Sequence, residues 1–165
     1  MIADVVRQLG YLALGSRFRR IGERLQADTQ RIFKAAGVEI APALMPTLRA
    51  LAQNGPLSIG GLAECLGVAQ PGVTRNIAQL RAAGLVRTVR RGRDQRVKTI
   101  ALTEPGEALV ALSIRELDPQ IFAAVAAICD GVHGPFLEQL AALEEALDQA
   151  PLDRRGNLPA NGGRQ

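Results

Sequence analysis

The stretch of sequence that decides the fold is SIGGLAECLGVAQPGVTRNIAQLRAAG, residues 58–84. Its apolar residues recur every three or four positions, which is the spacing of one helical face. The pattern predicts helices over residues 59–66 and 70–83, with Ser58 as N-cap of the first and Gly67 allowing a sharp turn between them. Two short helices joined by a glycine-containing turn are typical of a helix-turn-helix.

A basic β-hairpin is predicted directly after these helices. Residues 85–90 and 96–102 are rich in β-favouring residues, and the run Arg91-Gly92-Arg93-Asp94-Gln95 separates them. Helix, turn, helix and hairpin in this order predict a winged helix-turn-helix.

Amphipathic helices are predicted on both sides of this module. Residues 3–35 form one, with a break near Gly10 or Gly15; residues 42–53 form another, in which Pro46 shifts the start or kinks the helix. Thr103 begins a long helix with Ile114 on its inward apolar stripe and a kink at Pro119, and residues 135–149 form the last one. The predicted fold is mainly α with a small β-hairpin wing, and its parts are an N-terminal dimerisation helix (1–36), a winged helix-turn-helix domain (37–102), C-terminal dimerisation helices (103–150) and a mobile tail (151–165).

Charge is strongly segregated along the 165 residues. The net charge of +4 combines +6 over residues 57–102 with −8 over residues 103–150. A basic module beside acidic helices favours a polyanionic partner for the module alone.

Several classes of function are unlikely on composition. One histidine (His133) and two distant cysteines (Cys65, Cys129) cannot build a structural zinc site, so no metal or cofactor is predicted. No catalytic motif is present, which predicts a protein that is not an enzyme. Five Tyr and Phe residues without Trp argue against stacking on single strands. The absence of a signal peptide or apolar span predicts a cytoplasmic protein.

Double-stranded DNA is the predicted partner. An α-helix fits the major groove, where Gln pairs with adenine and Arg with guanine. With Val73, Ile77 and Leu80 inward, the 70–83 helix presents Gln70, Pro71, Thr74, Arg75 and Gln79. The hairpin adds Arg90, Arg91, Arg93 and Arg96. A guanidinium at the tip of the hairpin would be attracted by the negative potential of a narrow minor groove. Asp94 is expected to orient Arg96 rather than to contact DNA.

These residues resemble the MarR family of regulators. The resemblance rests on the run from Ser58 to Val68, Gln70-Pro-Gly-Val-Thr-Arg75, Gly84-Leu-Val86, Asp94-Gln-Arg96 and Leu102-Thr-Glu-Pro-Gly106, and it covers about residues 10–150. It implies a homodimer whose recognition helices enter successive major grooves of a pseudo-palindromic operator while the wings enter the minor groove. Ala69 and Gly72 depart from the family pattern, in which a serine cap and a larger polar residue are usual.

The resemblance also implies a repressor that a small aromatic effector releases from DNA. On that basis Tyr11, Phe18, Arg19, Met45 and Leu48 are candidate effector-lining residues, with ordinary core packing as the stronger alternative. Cys65 and Cys129 are expected to pack in the core, although a redox role for Cys65 stays open.

One other class of function remains in competition. A winged helix can serve only for dimerisation or protein contact, without DNA binding. Six basic groups in the hairpin favour the DNA-binding interpretation, because a protein-contact module would not need them.

Overall fold

The computed structural model describes residues 3–90, 98–130 and 134–149, with only the main chain at Arg90. The described residues form a mainly helical fold with one antiparallel hairpin, which confirms the predicted fold class. The elements are α1 (Val5–Gln8), α2 (Leu14–Ala35), α3 (Met45–Asn54), α4 (Ile59–Leu66), α5 (Gln70–Ala82), β1 (Val86–Arg90), β2 (Lys98–Leu102), α6 (Glu104–Leu112), α7 (Asp118–Cys129) and α8 (Phe136–Gln149).

The chain forms two compact units that divide between Ile121 and Phe122. The four-part division predicted from the sequence stays a prediction, and its tail at residues 151–165 lies outside the described residues. Among the described helices, none combines the length and the apolar character needed to cross a membrane.

The N-terminal helical stretch is interrupted at Gly10, as predicted. A 3-10 turn, Gly10–Ala13, separates α1 from α2, and Gly10 has a φ of 55°. Residues with a Cβ rarely adopt this left-handed conformation, so a glycine is suited to the break. Gly15, the alternative position, lies within α2.

Asp4 joins α1 to α2. Its carboxylate accepts a hydrogen bond from the Arg7 main-chain N–H at 3.1 Å and pairs with Arg20 of α2 at 2.9 Å. The Arg7 N–H, and to a smaller extent Arg20, hold the pKa of Asp4 below its ordinary value.

The start of α3 is set by two prolines. A 3-10 turn, Pro42–Leu44, precedes the helix, and Pro46 is its second residue. Proline costs no hydrogen bond in the first turn, because the N–H groups there have no helical partner. Of the two predicted outcomes, Pro46 has therefore shifted the start rather than kinked the helix.

The hydrophobic core of the first unit brings together both helices of the helix-turn-helix, α3, the hairpin and the start of the next long helix. The apolar faces predicted for α3 and for the second helix-turn-helix helix are buried as expected. The core consists mainly of Phe33, Val38, Leu44, Met45, Leu48, Leu51, Leu62, Val73, Ile77, Leu80, Leu85, Val86, Ile100, Val110 and Leu117.

The turn after α5 is locked to the start of α6. Thr103 donates its hydroxyl to the Gly84 carbonyl oxygen at 2.6 Å and accepts the Gly106 N–H at 3.3 Å, so one side chain caps α6 and holds the preceding turn. A Cβ on Gly106 would lie 2.1 Å from the Leu85 carbonyl oxygen. The Leu-Thr-Glu-Pro-Gly run is therefore a packing motif, in which Thr103 and Gly106 each meet a specific main-chain group.

A π-helical turn, Ser113–Leu117, separates α6 from α7. The predicted irregularity thus occurs just before Pro119, which is the second residue of α7 and has no N–H to offer the preceding turn. Asp118 accepts the Ser113 hydroxyl at 2.7 Å and forms an ion pair with Arg49 of α3. Ser113 is buried as a result, whereas Ile114, which the sequence placed on the inward stripe, is 54% exposed.

The second unit contains the rest of α7 and α8. Its described residues include no buried side chain, and several large apolar ones are exposed. These are Phe122, Ile128, Leu137 and Leu147. The last predicted helix is confirmed, beginning one residue later than expected, at Phe136.

Candidate nucleic-acid interface

The helix-turn-helix is held by a cap and a left-handed glycine. Ser58 accepts the Gly61 N–H at 3.0 Å, and Gly67 ends α4 with a φ of 63°. Val73, Ile77 and Leu80 then anchor α5, each at most 3% exposed. These contacts leave the opposite face of α5 outward, as the sequence predicted.

The five α5 residues predicted to contact DNA are all exposed, and they are Gln70, Pro71, Thr74, Arg75 and Gln79. The Arg75 side chain has no ion pair or hydrogen bond within the described part of the chain. The Thr74 hydroxyl donates to the Gln70 carbonyl oxygen at 3.0 Å, so an external acceptor would have to displace that bond. The helix thus presents one unpaired cation among uncharged polar groups.

The first turn of α5 lacks both a side-chain cap and an acidic residue. The Ala69 side chain offers no acceptor, and the Gly72 N–H donates to the Ala69 main-chain carbonyl oxygen at 2.9 Å. The positive end of the helix dipole therefore faces outward without a counter-charge from its own turn. An anion can be accommodated there without displacing any carboxylate of that turn.

Gly60 leaves room for the Gln70 side chain, and the sequence did not predict this role. The Gln70 amide nitrogen would lie 3.6 Å from a Cβ at that position, so this side chain extends toward the start of α4 rather than straight outward. The Gly60-Gly61 pair was the available signal, because glycine inside a short helix often marks the close approach of another group.

Arg81 bridges the helix to the wing. Its guanidinium donates to the Thr88 hydroxyl of β1 at 2.9 Å. The sequence did not indicate this hydrogen bond. The hairpin is thereby fixed to the end of α5 in addition to its core packing.

The hairpin has two faces with different surroundings. Val86 pairs with Leu102 and Arg90 with Lys98 in an antiparallel register. Since successive side chains point to opposite faces, Thr88 lies on the α5 side and Arg87 on the other. The basic groups of the wing are therefore not all on one surface.

The tip of the wing lies outside the described residues. Arg91, Arg93, Asp94 and Arg96 lie in the interval 91–97, which is outside the described residues, and only the main chain of Arg90 is described. The Asp94–Arg96 pairing and the minor-groove contacts stay predictions.

The five candidate effector-lining residues have contrasting environments. Met45 and Leu48 are buried in the core, whereas Tyr11 is 93% exposed. Phe18 is exposed too, and Arg19 lies 3.8 Å from Glu23 on the surface of α2. Met45 and Leu48 therefore pack in the core, as the alternative to an effector-lining role predicted.

The cysteines differ from expectation in one case. Cys65 is exposed, with the Asn54 amide nitrogen 3.8 Å from its Sγ, so the prediction that it packs in the core is wrong. The physical reason is its position on α4, whose inward face is occupied by Leu62 and Ala63. Cys129 is half-buried, and His133 lies outside the described residues.

Comparison with known proteins supports this architecture. Residues 42–97 match a model of the MarR family. The chain is 28% identical to a MarR family transcriptional regulator from Silicibacter pomeroyi, over 88% of this chain and 96% of that one, with a TM-score of 0.56. It is 25% identical to the M. tuberculosis transcriptional regulator MosR in complex with DNA, over 84% and 98% of the two chains, with a TM-score of 0.66.

A third similar structure shares the fold at lower identity. It is the S. aureus MepR–DNA complex, 21% identical over 86% of this chain and 97% of that chain, with a TM-score of 0.63. The family match covers α3, the two helix-turn-helix helices and β1, and it ends just before β2. This segment therefore matches the MarR family model, and the chain as a whole is similar to solved structures that include a MarR family transcriptional regulator.

Proposed function

We propose that this protein regulates transcription by binding double-stranded DNA through the outward face of α5. The observation that carries the proposal is the composition of that face: exposed Gln70, Thr74, Arg75 and Gln79 beside an acid-free first turn. An unpaired guanidinium and amide groups can read base edges in the major groove, while the first turn suits a phosphate. The DNA in the MosR and MepR complexes supports the same use of the fold.

The wing is the second contact in this proposal. Arg90, Arg91, Arg93 and Arg96 would follow the backbone and enter the minor groove, with Asp94 orienting Arg96. The Arg81–Thr88 hydrogen bond supports a fixed spacing between helix and wing, which two contacts in neighbouring grooves require.

A homodimer is the proposed assembly. Large apolar side chains on the N-terminal helices are exposed, including Leu12 at 89% and Ile21 at 49%, and α7 and α8 expose others. Exposed apolar residues in this number favour a protein interface. A second copy would supply the two-fold symmetry that matches a pseudo-palindrome with half-sites about one helical turn apart.

Repression relieved by a small aromatic ligand completes the proposal. A similar fold, Bordetella bronchiseptica BpsR, 23% identical over 83% of this chain and 94% of that chain with a TM-score of 0.64, is described with 6-hydroxynicotinic acid regulating its DNA binding. Tyr11, Phe18 and Arg19 are accessible to such a ligand, whereas Met45 and Leu48 would require the core to open.

A mobility-shift experiment with the DNA upstream of the protein's own coding sequence tests DNA binding. We expect a sequence-specific shift that weakens steeply with salt, because phosphate contacts release counterions. Arg96→Ala should weaken binding by about 1–3 kcal/mol if this residue occupies the groove. Arg115→Ala is the matched control, since Arg115 pairs with the adjacent Glu116 and is not among the residues proposed to contact DNA.

Absence of a shift for the wild type and for Arg96→Ala alike would contradict the proposal and favour a protein-contact winged helix. Sedimentation at micromolar concentration tests the assembly separately. A dimer is expected, and a monomer would contradict the proposed two-fold operator recognition.

A further inference from the structure

A surface cleft of about 470 Å³ lies on the side of the hairpin away from α5. The end of α3, the Gly55–Pro56 connection, both strands and α6 surround it. Its volume falls within the range of small-molecule sites. None of the residues proposed to contact DNA or the aromatic effector lines it.

Two opposite charges line this cleft without pairing. Arg87 of β1 and Glu107 of α6 are both exposed, and within the described part of the chain neither side chain forms a hydrogen bond or an ion pair. By contrast, Arg81 of α5 donates to Thr88, and Arg49 of α3 forms an ion pair with Asp118.

Much of the remaining lining of the cleft is aliphatic. Leu51 and Val110 form part of the wall from the core side, and Ile114 adds a side chain that is 54% exposed. Ile114 is the residue that the helical stripe places inward and that the π-helical turn leaves outward. An apolar surface with no cover from the described chain is suited to an aliphatic group.

We infer that this cleft binds a small zwitterion with an aliphatic side chain, the chemistry of a free branched amino acid. Arg87 would hold the carboxylate through its planar fork, Glu107 would hold the ammonium, and the aliphatic chain would lie against Val110 and Ile114. A simple carboxylate would leave Glu107 beside a like charge, and a simple amine would do the same to Arg87.

The inference extends the proposed function, because a ligand in this cleft contacts the wing through Arg87 and Ala101. Its test uses no DNA. Ligand binding can therefore fail while DNA binding holds, and DNA binding can fail while ligand binding holds. Calorimetric titration of the full chain with L-leucine is compared with 4-methylpentanoate, 3-methylbutylamine and glycine. These analogues lack the ammonium, the carboxylate and the aliphatic side chain in turn.

Saturable binding of L-leucine is expected, with each analogue at least about tenfold weaker because one contact is lost. Arg87→Gln and Glu107→Gln should each weaken L-leucine binding by a similar factor. Lys98→Gln on β2 and Glu104→Gln on α6 are the matched controls, since these exposed residues do not line the cleft, and they should bind as the wild type does.

Three results would overturn the inference: no saturable heat with L-leucine at millimolar concentration, an analogue that binds as tightly as L-leucine, or unchanged binding by both cleft variants. Thermal unfolding of each variant checks that it folds. The analogue series on the wild-type chain keeps the inference testable even if a variant does not.

Discussion

Two helices of this protein begin with nearly the same sequence and have opposite surroundings. α5 starts as Ala69-Gln70-Pro71-Gly72, and α6 starts as Thr103-Glu104-Pro105-Gly106. Both place proline and glycine in the first turn. The α6 start is closed by its own chain, whereas the α5 start is open.

The two helix starts differ in their caps, in the charge of their first turns and in the space around their glycines. Thr103 caps α6, and Glu104 and Glu107 place negative charge at its positive end; α5 has neither a cap nor an acid in its first turn. Gly106 is pressed against the Leu85 carbonyl, whereas a Cβ on Gly72 would meet no atom within 4 Å. One start packs against its own chain, and the other is open.

Gly106→Ala should produce the largest effect on stability. The added Cβ would lie 2.1 Å from the Leu85 oxygen, so the turn or α6 must shift. Overpacking of this kind costs typically 1–3 kcal/mol, and contact with main chain rather than a flexible side chain places this case near about 3 kcal/mol. Chemical denaturation measures the loss in free energy of unfolding.

Gly72→Ala is the matched control, at the same position of the other helix. Its surroundings are open, and Ala favours a helix over Gly by about 1 kcal/mol, so stability should stay or rise. Equal destabilisation by the two substitutions would contradict the contrast between the starts.

Thr103→Val should have the next largest effect. Valine keeps the shape but removes the hydroxyl that caps Gly106 and bonds the Gly84 carbonyl. Loss of a helix cap costs about 0.5–2 kcal/mol, and the second bond places the expected loss at the upper end. Thermal unfolding monitored by circular dichroism gives the value, and an unchanged midpoint would show that this junction does not need the hydroxyl.

Ala69→Ser should have the smallest effect, in the stabilising direction. A serine hydroxyl can accept an N–H of the first turn of α5, which the present Ala69 cannot do. A gain of about 1 kcal/mol in the free energy of unfolding is expected from a new N-cap. An unchanged stability would show that the N–H groups in the first turn of α5 already have acceptors, and it would contradict the contrast between the two helix starts.

The sequence predicted those parts of the fold in which an apolar helix face packs against the same chain. The inward residues Val73, Ile77 and Leu80 and the cap at Ser58 were all evident from spacing and residue type. Local signals of this kind suffice when a helix face packs within its own domain.

Contacts between distant segments were less predictable. The Ser113–Asp118–Arg49 network joins residues up to 69 positions apart, so the apolar periodicity of one helix does not reveal it. Likewise, Arg81 and Thr88 meet only once the hairpin has docked on α5. The sequence indicated a basic wing, but the register alone places Arg87 on the face away from α5.

The central claim is that the outward face of α5 contacts DNA, and Arg75→Ala tests it most directly. Fluorescence anisotropy with the upstream DNA should show binding weakened by about 1–3 kcal/mol, while the unfolding midpoint is unchanged because Arg75 has no partner in the described chain. Arg115→Ala should bind as the wild type does. Arg75→Ala binding with wild-type affinity at low and high salt would contradict the account.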